Sequence, residues 1–98
     1  MPRTTPYDDI IVGAGSAGAV LAARLTEDPH RRVLLLEAGP DYPVLEHLPE
    51  DLRDSRTTSL VAHDWGYTAT ALPGREIPFP RGKVTGGSSA TNAAVALR

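Results

Sequence analysis

The feature that most limits what this chain can become is a glycine-rich turn set between an apolar, β-branched run and an alanine-rich stretch. Ile10-Ile11-Val12 is followed by Gly13-Ala14-Gly15-Ser16-Ala17-Gly18, and then by Ala19, Val20, Ala23 and Leu25. The apolar run closes the segment Tyr7–Val12, which reads as a buried parallel strand. Residues 16–27 carry their apolar side chains at helical spacing. Asp28-Pro29 is expected to end that helix, because a residue before proline is driven from helical backbone angles. Arg31 and Arg32 lead into Val33-Leu34-Leu35-Leu36, a second buried strand. Strand, helix and strand within about 30 residues form a βαβ unit with a right-handed crossover.

Each glycine of the G-x-G-x-x-G pattern has a steric task. Gly13 permits the turn off the strand, Gly15 lets a pyrophosphate approach the backbone, and Gly18 lets the helix pack closely on the sheet. The first N–H groups of the helix then face the ligand, and the helix dipole favours its negative charge. Glu37 stands at the end of the second strand, where a carboxylate accepts hydrogen bonds from a ribose 2′-OH and repels a 2′-phosphate, which disfavours NADP. These four agreeing features imply an adenine dinucleotide site. They do not separate FAD from NAD.

Beyond Gly39-Pro40 the regularity fades, and residues 39–80 are rich in proline and charge. Val44–Arg53 has leucines at 45, 48 and 52, a possible helix interrupted by Pro49. Asp64–Thr68 and Glu76–Phe79 read as short strands or extended segments. A second glycine cluster follows, Pro80-Arg81-Gly82-Lys83-Val84-Thr85-Gly86-Gly87-Ser88-Ser89, and from Ser88 to Leu97 the sequence turns small and helical. Two cations, adjacent glycines and two hydroxyls before a helix start are the ingredients of an anion-binding nest, with Gly87 or Ser88 as N-cap. The bland alternative is a surface loop before a well-capped helix.

Composition excludes several classes. A net charge of −2 over 98 residues gives no reason to expect nucleic acid or an acidic membrane surface as partner. With no cysteine there is no disulfide framework, thiolate metal site or thiol nucleophile, which fits a cytoplasmic protein. The start lacks the apolar core of a signal peptide, and no apolar run reaches the ~18 residues of a membrane span. His30, His47 and His63 sit in turns or charged loops and read as solvated or locally hydrogen-bonded, so no catalytic residue and no metal ligand is assigned.

The combination of Tyr7–Gly18, Val33–Gly39, Asp64-Trp65-Gly66-Tyr67 and Pro80–Asn92 resembles the glucose–methanol–choline (GMC) flavin oxidoreductases over nearly the whole chain. The resemblance implies an α/β fold: a partial Rossmann-type FAD-binding domain, made of the βαβ unit plus the glycine-rich loop and helix and incomplete on its own. On this reading residues 1–98 are the N-terminal part of that domain, and its remaining strands and a substrate domain lie outside this chain. It further implies FAD and alcohol-type small-molecule substrates, the flavin taking a hydride while a base carried elsewhere removes the hydroxyl proton. Carried over position by position, Gly13, Gly15, Ser16, Ala17 and Gly18 form the pyrophosphate turn, and Glu37, with Ala38 beside it, holds the adenosine ribose. Arg81, Gly82, Lys83, Gly86, Gly87 and Ser88 run along the pyrophosphate toward the flavin, Asn92 and Ala93 stand beside the ring, and Trp65 lies near the adenosine end or is a core aromatic.

Thr85 replaces a usual aliphatic residue, and Thr91 replaces a frequent isoleucine or valine. In choline oxidases the position of Thr91 holds a histidine that attaches the flavin, so FAD is expected to be non-covalent here. Ser89-Ala90-Thr91-Asn92 also looks like the fatty-acid photodecarboxylase branch. The other readings are an NAD-dependent dehydrogenase fragment and a truncated, non-catalytic FAD-binding product. The segment alone is expected to be inactive and not to fold stably.

Overall fold

The computed structural model describes residues 6–54, 56 and 58–92. Strand β1 (Asp9–Val12) pairs in parallel with β2 (Val33–Leu36), with Asp9 opposite Val33 and Val12 opposite Leu36. Helix α1 (Ser16–Leu25) makes the crossover. One further bond, from the Gly13 N–H to the Leu36 carbonyl at 2.7 Å, carries the ladder into the glycine turn. The α/β character and the βαβ unit of the sequence reading are therefore present.

The helix ends earlier than Asp28-Pro29 requires. The Thr26 hydroxyl donates to the Ala22 carbonyl (2.7 Å), which also takes the Thr26 N–H, and reaches the Ala23 carbonyl (3.2 Å), an acceptor the last turn would otherwise leave open. Asp28 instead accepts the His30 N–H at 2.9 Å and turns the chain toward β2. The start of β2 is clamped to β1 by Arg31, whose Nε lies 2.5 Å from the Asp9 carboxylate.

The strands are not buried as the apolar runs suggested. Ile11 is covered, but Ile10 is 62% and Val12 83% exposed, and Leu35 and Leu36 are also open. A parallel sheet needs cover on both faces. Among the described residues this one has two strands and a single crossover helix. The only buried hydrophobic residues described are Ile11, Ala14 and Val84. So few buried apolar side chains among the described residues give little to set against the ordering of the backbone. Residues 1–98 expressed alone should unfold without a sharp cooperative transition, which calorimetry checks; a two-state melt without ligand would contradict this.

The second half is built on a hairpin that the sequence reading left unpaired. Strand β3 (Thr68–Leu72) runs antiparallel to β4 (Arg75–Pro78) around a turn in which Gly74 takes φ +76°. The ribbon continues beyond the hairpin. Phe79 N–H donates to the Tyr67 carbonyl, Trp65 N–H to that of Arg81 and Lys83 N–H to that of His63, at 2.8, 3.0 and 2.8 Å. It thereby delivers the second glycine cluster to the first.

Before the hairpin, Leu45–His47 forms a 3-10 turn, and α2 (Glu50–Arg53) starts directly after Pro49. Pro49 thus acts as a boundary between two short elements, since it lacks an N–H to continue the first. Helix α3 (Ser88–Thr91) follows Gly87, and the part of the expected helix beyond Asn92 lies outside the described residues.

Candidate dinucleotide-binding cleft

The two glycine clusters meet. The Gly86 N–H donates to the Ala14 carbonyl at 2.7 Å, and the hydroxyls of Ser16 and Ser89 are hydrogen-bonded to each other. Gly87 adopts φ +59° and lies so close to the first turn that a Cβ there would stand 2.9 Å from the Gly15 Cα. At the base of the turn, Gly18 packs under Gly13. A Cβ on Gly18 would strike the Gly13 carbonyl and come within 3.3 Å of the Ile11 side chain. Only glycine satisfies both approaches.

Around this junction is a cleft of about 440 Å³, lined by Val12, Gly13, Gly15, Leu36, Glu37, Ala38, Trp65, Gly82 and Gly87. Its walls therefore come from both glycine clusters, the end of β2 and the ribbon. The N-terminus of α1 opens beside it: Gly15 is the N-cap and uses no side chain to satisfy the first N–H groups, so they are available to an acceptor.

Glu37 is fixed by its own backbone surroundings. One carboxylate oxygen accepts the Ala14 N–H and the other the Gly39 N–H, both at 2.8 Å. Burial pushes its pKa up, but the backbone N–H groups of Gly39, Ala14 and Ala38 more than offset this, and the carboxyl is held below its ordinary value. Each oxygen retains a lone pair for a further donor. Glu37 therefore latches the first glycine turn to the exit of β2 while keeping acceptor capacity on the cleft wall.

Of the residues singled out from sequence, Gly13, Gly15, Glu37, Ala38, Gly82 and Gly87 line this cleft together. Ser16, Ala17, Gly18, Gly86 and Ser88 lie outside its lining, in the turns and helix starts behind it. The Ser88 hydroxyl accepts the Gly82 N–H at 3.0 Å rather than capping α3. Lys83 holds its amine 4.8 Å over the Trp65 ring, which stacks on Tyr67 with the planes 6° apart. The Arg81 guanidinium sits 3.8 Å over Phe79 and donates to the Pro80 carbonyl. The Asn92 amide donates to the Ser89 carbonyl at 2.8 Å. Ala93 lies outside the described residues.

Sequence reasoning missed Ala14, whose N–H and carbonyl tie Glu37 and Gly86 to the turn, and Ser89, the partner of Ser16. Nothing in their spacing announces either role. His30 and His47 are exposed, whereas His63 is buried and hydrogen-bonded on both ring nitrogens, so the solvated alternative does not hold for it. Among the described residues no group of three or more His, Asp or Glu side chains is placed to hold a metal ion, and no helix is long and apolar enough to cross a membrane.

Comparisons with known proteins agree with this architecture. Residues 11–43 match the model of the NAD(P)-binding Rossmann-like domain. The chain is 45% identical to mitochondrial choline dehydrogenase of Mus musculus, over 94% of this chain and 17% of that protein. It is 44% identical to an uncharacterised GMC-type oxidoreductase of Mycobacterium bovis, over 96% of this chain and 18% of that protein. Its fold is similar to that of pyridoxine 4-oxidase from Mesorbium loti, with a TM-score of 0.74 and 38% identity over 95% of this chain and 18% of that one. The chain thus spans less than a fifth of the length of the relatives it matches. Two glycine turns joined at one cleft, in a chain similar nearly end to end to these larger proteins, identify it as an N-terminal, dinucleotide-binding portion of the glucose–methanol–choline oxidoreductase family.

Proposed function

We propose that the cleft binds FAD, and that the chain serves as the N-terminal part of the FAD-binding domain of an enzyme oxidising the CH–OH group of an alcohol, choline-like alcohols included. The observation that carries this reading is the convergence of the α1 N-terminus, Glu37 and the second glycine cluster on one cleft. The Rossmann-like match covers residues 11–43 alone and suits NAD as well as FAD. The second cluster extends the wall with Gly82 and Gly87, and the ribbon adds Trp65, which favours the larger cofactor.

The residues present fit such a group. The first-turn N–H groups of α1 take the pyrophosphate, at a place where Gly15 and Gly87 leave the backbone bare. Glu37 takes the ribose hydroxyls with its remaining lone pairs. Lys83 and Arg81 add positive potential along the second cluster, and Ser88 and Asn92 carry the chain on from it toward the proposed flavin ring. When bound, the flavin supplies the hydride acceptor. The catalytic base and the substrate pocket belong to sequence beyond these residues, so this segment alone is inactive, and a cytoplasmic site of action accords with its lack of cysteine. Choline and related alcohols enter because a relative is named for choline.

The test is direct. Full-length protein should purify yellow with flavin absorbance, and a colourless protein that binds NADH would overturn the reading. Retention should also be non-covalent with respect to this segment. Thr91 offers a hydroxyl, which is not a nucleophile for the flavin methyl linkage, and the chain has no cysteine. Acid precipitation should release the colour to the supernatant. Flavin remaining on a peptide of residues 81–98 would contradict this.

A further inference from the structure

A single imidazole ties the middle of the chain to the second glycine cluster. His63 is 5% exposed. Its Nδ1 lies 2.6 Å from Oδ2 of Asp51 on α2, and its Nε2 lies 2.9 Å from the Tyr42 hydroxyl. The Ser59 hydroxyl donates to the same Asp51 oxygen at 2.6 Å. The Tyr42 ring meets the imidazole edge-on, with centroids 5.6 Å apart. The Asp51 carboxyl is held below its ordinary pKa, first by the Ser59 hydroxyl and, against burial, by the hydrogen bond from His63. An ionised Asp51 only accepts, so Nδ1 donates to it, while Nε2 and the Tyr42 hydroxyl share the second hydrogen bond. None of these four residues lines the dinucleotide cleft.

The backbone of this histidine moors the cofactor-facing loop. Its carbonyl accepts the Lys83 N–H at 2.8 Å, and the next residue, Asp64, accepts the Arg81 N–H through its side chain at 2.7 Å. Two residues further along the loop, the Thr85 N–H donates to the Pro40 carbonyl at 3.0 Å. Tyr42 stands close behind Pro40 in sequence, so the same imidazole braces the segment carrying that second mooring. Side-chain bonds from three separate stretches therefore fix the peptide against which residues 81–85 are hung.

We infer that His63 is a positioning residue for the second glycine cluster, setting where residues 82–88 stand against the first turn and hence how tightly the cleft holds FAD. This rests on the FAD reading given above. The effect is transmitted through backbone hydrogen bonds and needs no contact between His63 and the cofactor. Loss of one buried hydrogen bond of roughly 1 kcal/mol corresponds to about fivefold in an equilibrium constant.

The test uses the full-length protein with three variants: His63→Phe, which removes both ring nitrogens; Tyr42→Phe, which removes one hydroxyl and leaves the Asp51 pair; and Asp51→Asn. FAD affinity is measured by flavin release, and amide hydrogen exchange is followed in the FAD-free protein at residues 81–88 and, as reference, in α1. The expected result is a roughly five- to tenfold loss of FAD affinity for His63→Phe and a smaller loss for Tyr42→Phe. Exchange should quicken at 81–88 while α1 is unchanged. A general structural role would quicken both regions equally and would overturn the inference. Should His63→Phe fail to fold, Tyr42→Phe decides by the same criterion. Wild type that takes up no FAD overturns the functional reading and this inference with it, whereas wild type and variants binding FAD equally well overturn this inference alone.

Discussion

Replacing Glu37 by glutamine in the full-length protein should weaken FAD retention roughly ten- to hundredfold, the equivalent of one charge-assisted interaction of about 1.5–3 kcal/mol. The reason is local as well as ligand-facing. The glutamine carbonyl can accept only one of the two N–H groups, Ala14 or Gly39, that the carboxylate now satisfies. Its amide nitrogen would then face the other donor and leave it unpaired. The first glycine turn loses its latch while the ribose loses its acceptor. The bound flavin's absorbance should be unchanged, because the substitution lies on the adenosine side of the proposed site. Unchanged affinity would show that neither the ribose contact nor the latch on the turn matters to FAD retention.

The direction of the Glu37 pKa fixes the pH behaviour. Its carboxyl is held below its ordinary value in the folded chain, so on acidification the unfolded state takes up a proton first. The stabilisation is complete above the ordinary carboxylate range and is lost as pH falls through the lowered value. The wild type minus Glu37→Gln stability difference should therefore be constant near neutrality and shrink only in acid.

Gly87→Ala should be at least as damaging to cofactor capture, lowering FAD affinity roughly a hundredfold or more. Two costs add at this position. The backbone sits at φ +59° and ψ −145°, a region that side chains rarely occupy and that costs on the order of 1–3 kcal/mol. The new methyl would also stand 2.9 Å from the Gly15 Cα, which is backbone and cannot rotate away. Relief requires the two glycine turns to separate, and with them the cleft walls. Gly74→Ala is the matched control, since Gly74 has φ +76° but open space around it. It should reduce thermal stability modestly and leave FAD affinity alone. Equal losses in the two variants would show that backbone strain, and not the junction, is responsible.

What could be read from the sequence followed from local rules. The β1–α1–β2 unit was legible because an apolar run, a glycine turn and an alanine-rich helix each have a short-range signature, and Glu37 is placed by its distance from them. The helix stops short of the proline boundary because the Glu27 N–H turns to the Arg24 carbonyl and the Thr26 hydroxyl takes up the Ala23 carbonyl, a side-chain contact that no proline rule reports. Burial of the strands was misjudged because an apolar run reports what a sheet needs, not what this segment supplies. The hairpin was missed although Pro73-Gly74 marks its turn, since strands of mixed composition such as Thr68–Leu72 show little alternation. In the cleft, glycines and charges stood out by type, whereas Ala14 and Ser89 act through a backbone group and a common hydroxyl that no pattern singles out.

The junction between the two glycine turns also bears on the order of folding. Ser16 and Ser89, hydrogen-bonded to each other, are 73 positions apart in the chain. Bringing such distant points together costs roughly 4 kcal/mol in loop-closure entropy before any contact is made. Few described hydrophobic residues are buried along the intervening stretch to offset it. The first turn can form as soon as its βαβ unit emerges from the ribosome, but the second wall of the cleft must wait for nearly the whole of this segment to be synthesised. A ligand spanning both turns would act as the missing cross-link, favouring the closed state by mass action in proportion to its concentration. Flavin present during synthesis would, if it spans the two turns as proposed, favour the closed cleft from the moment the second turn emerges.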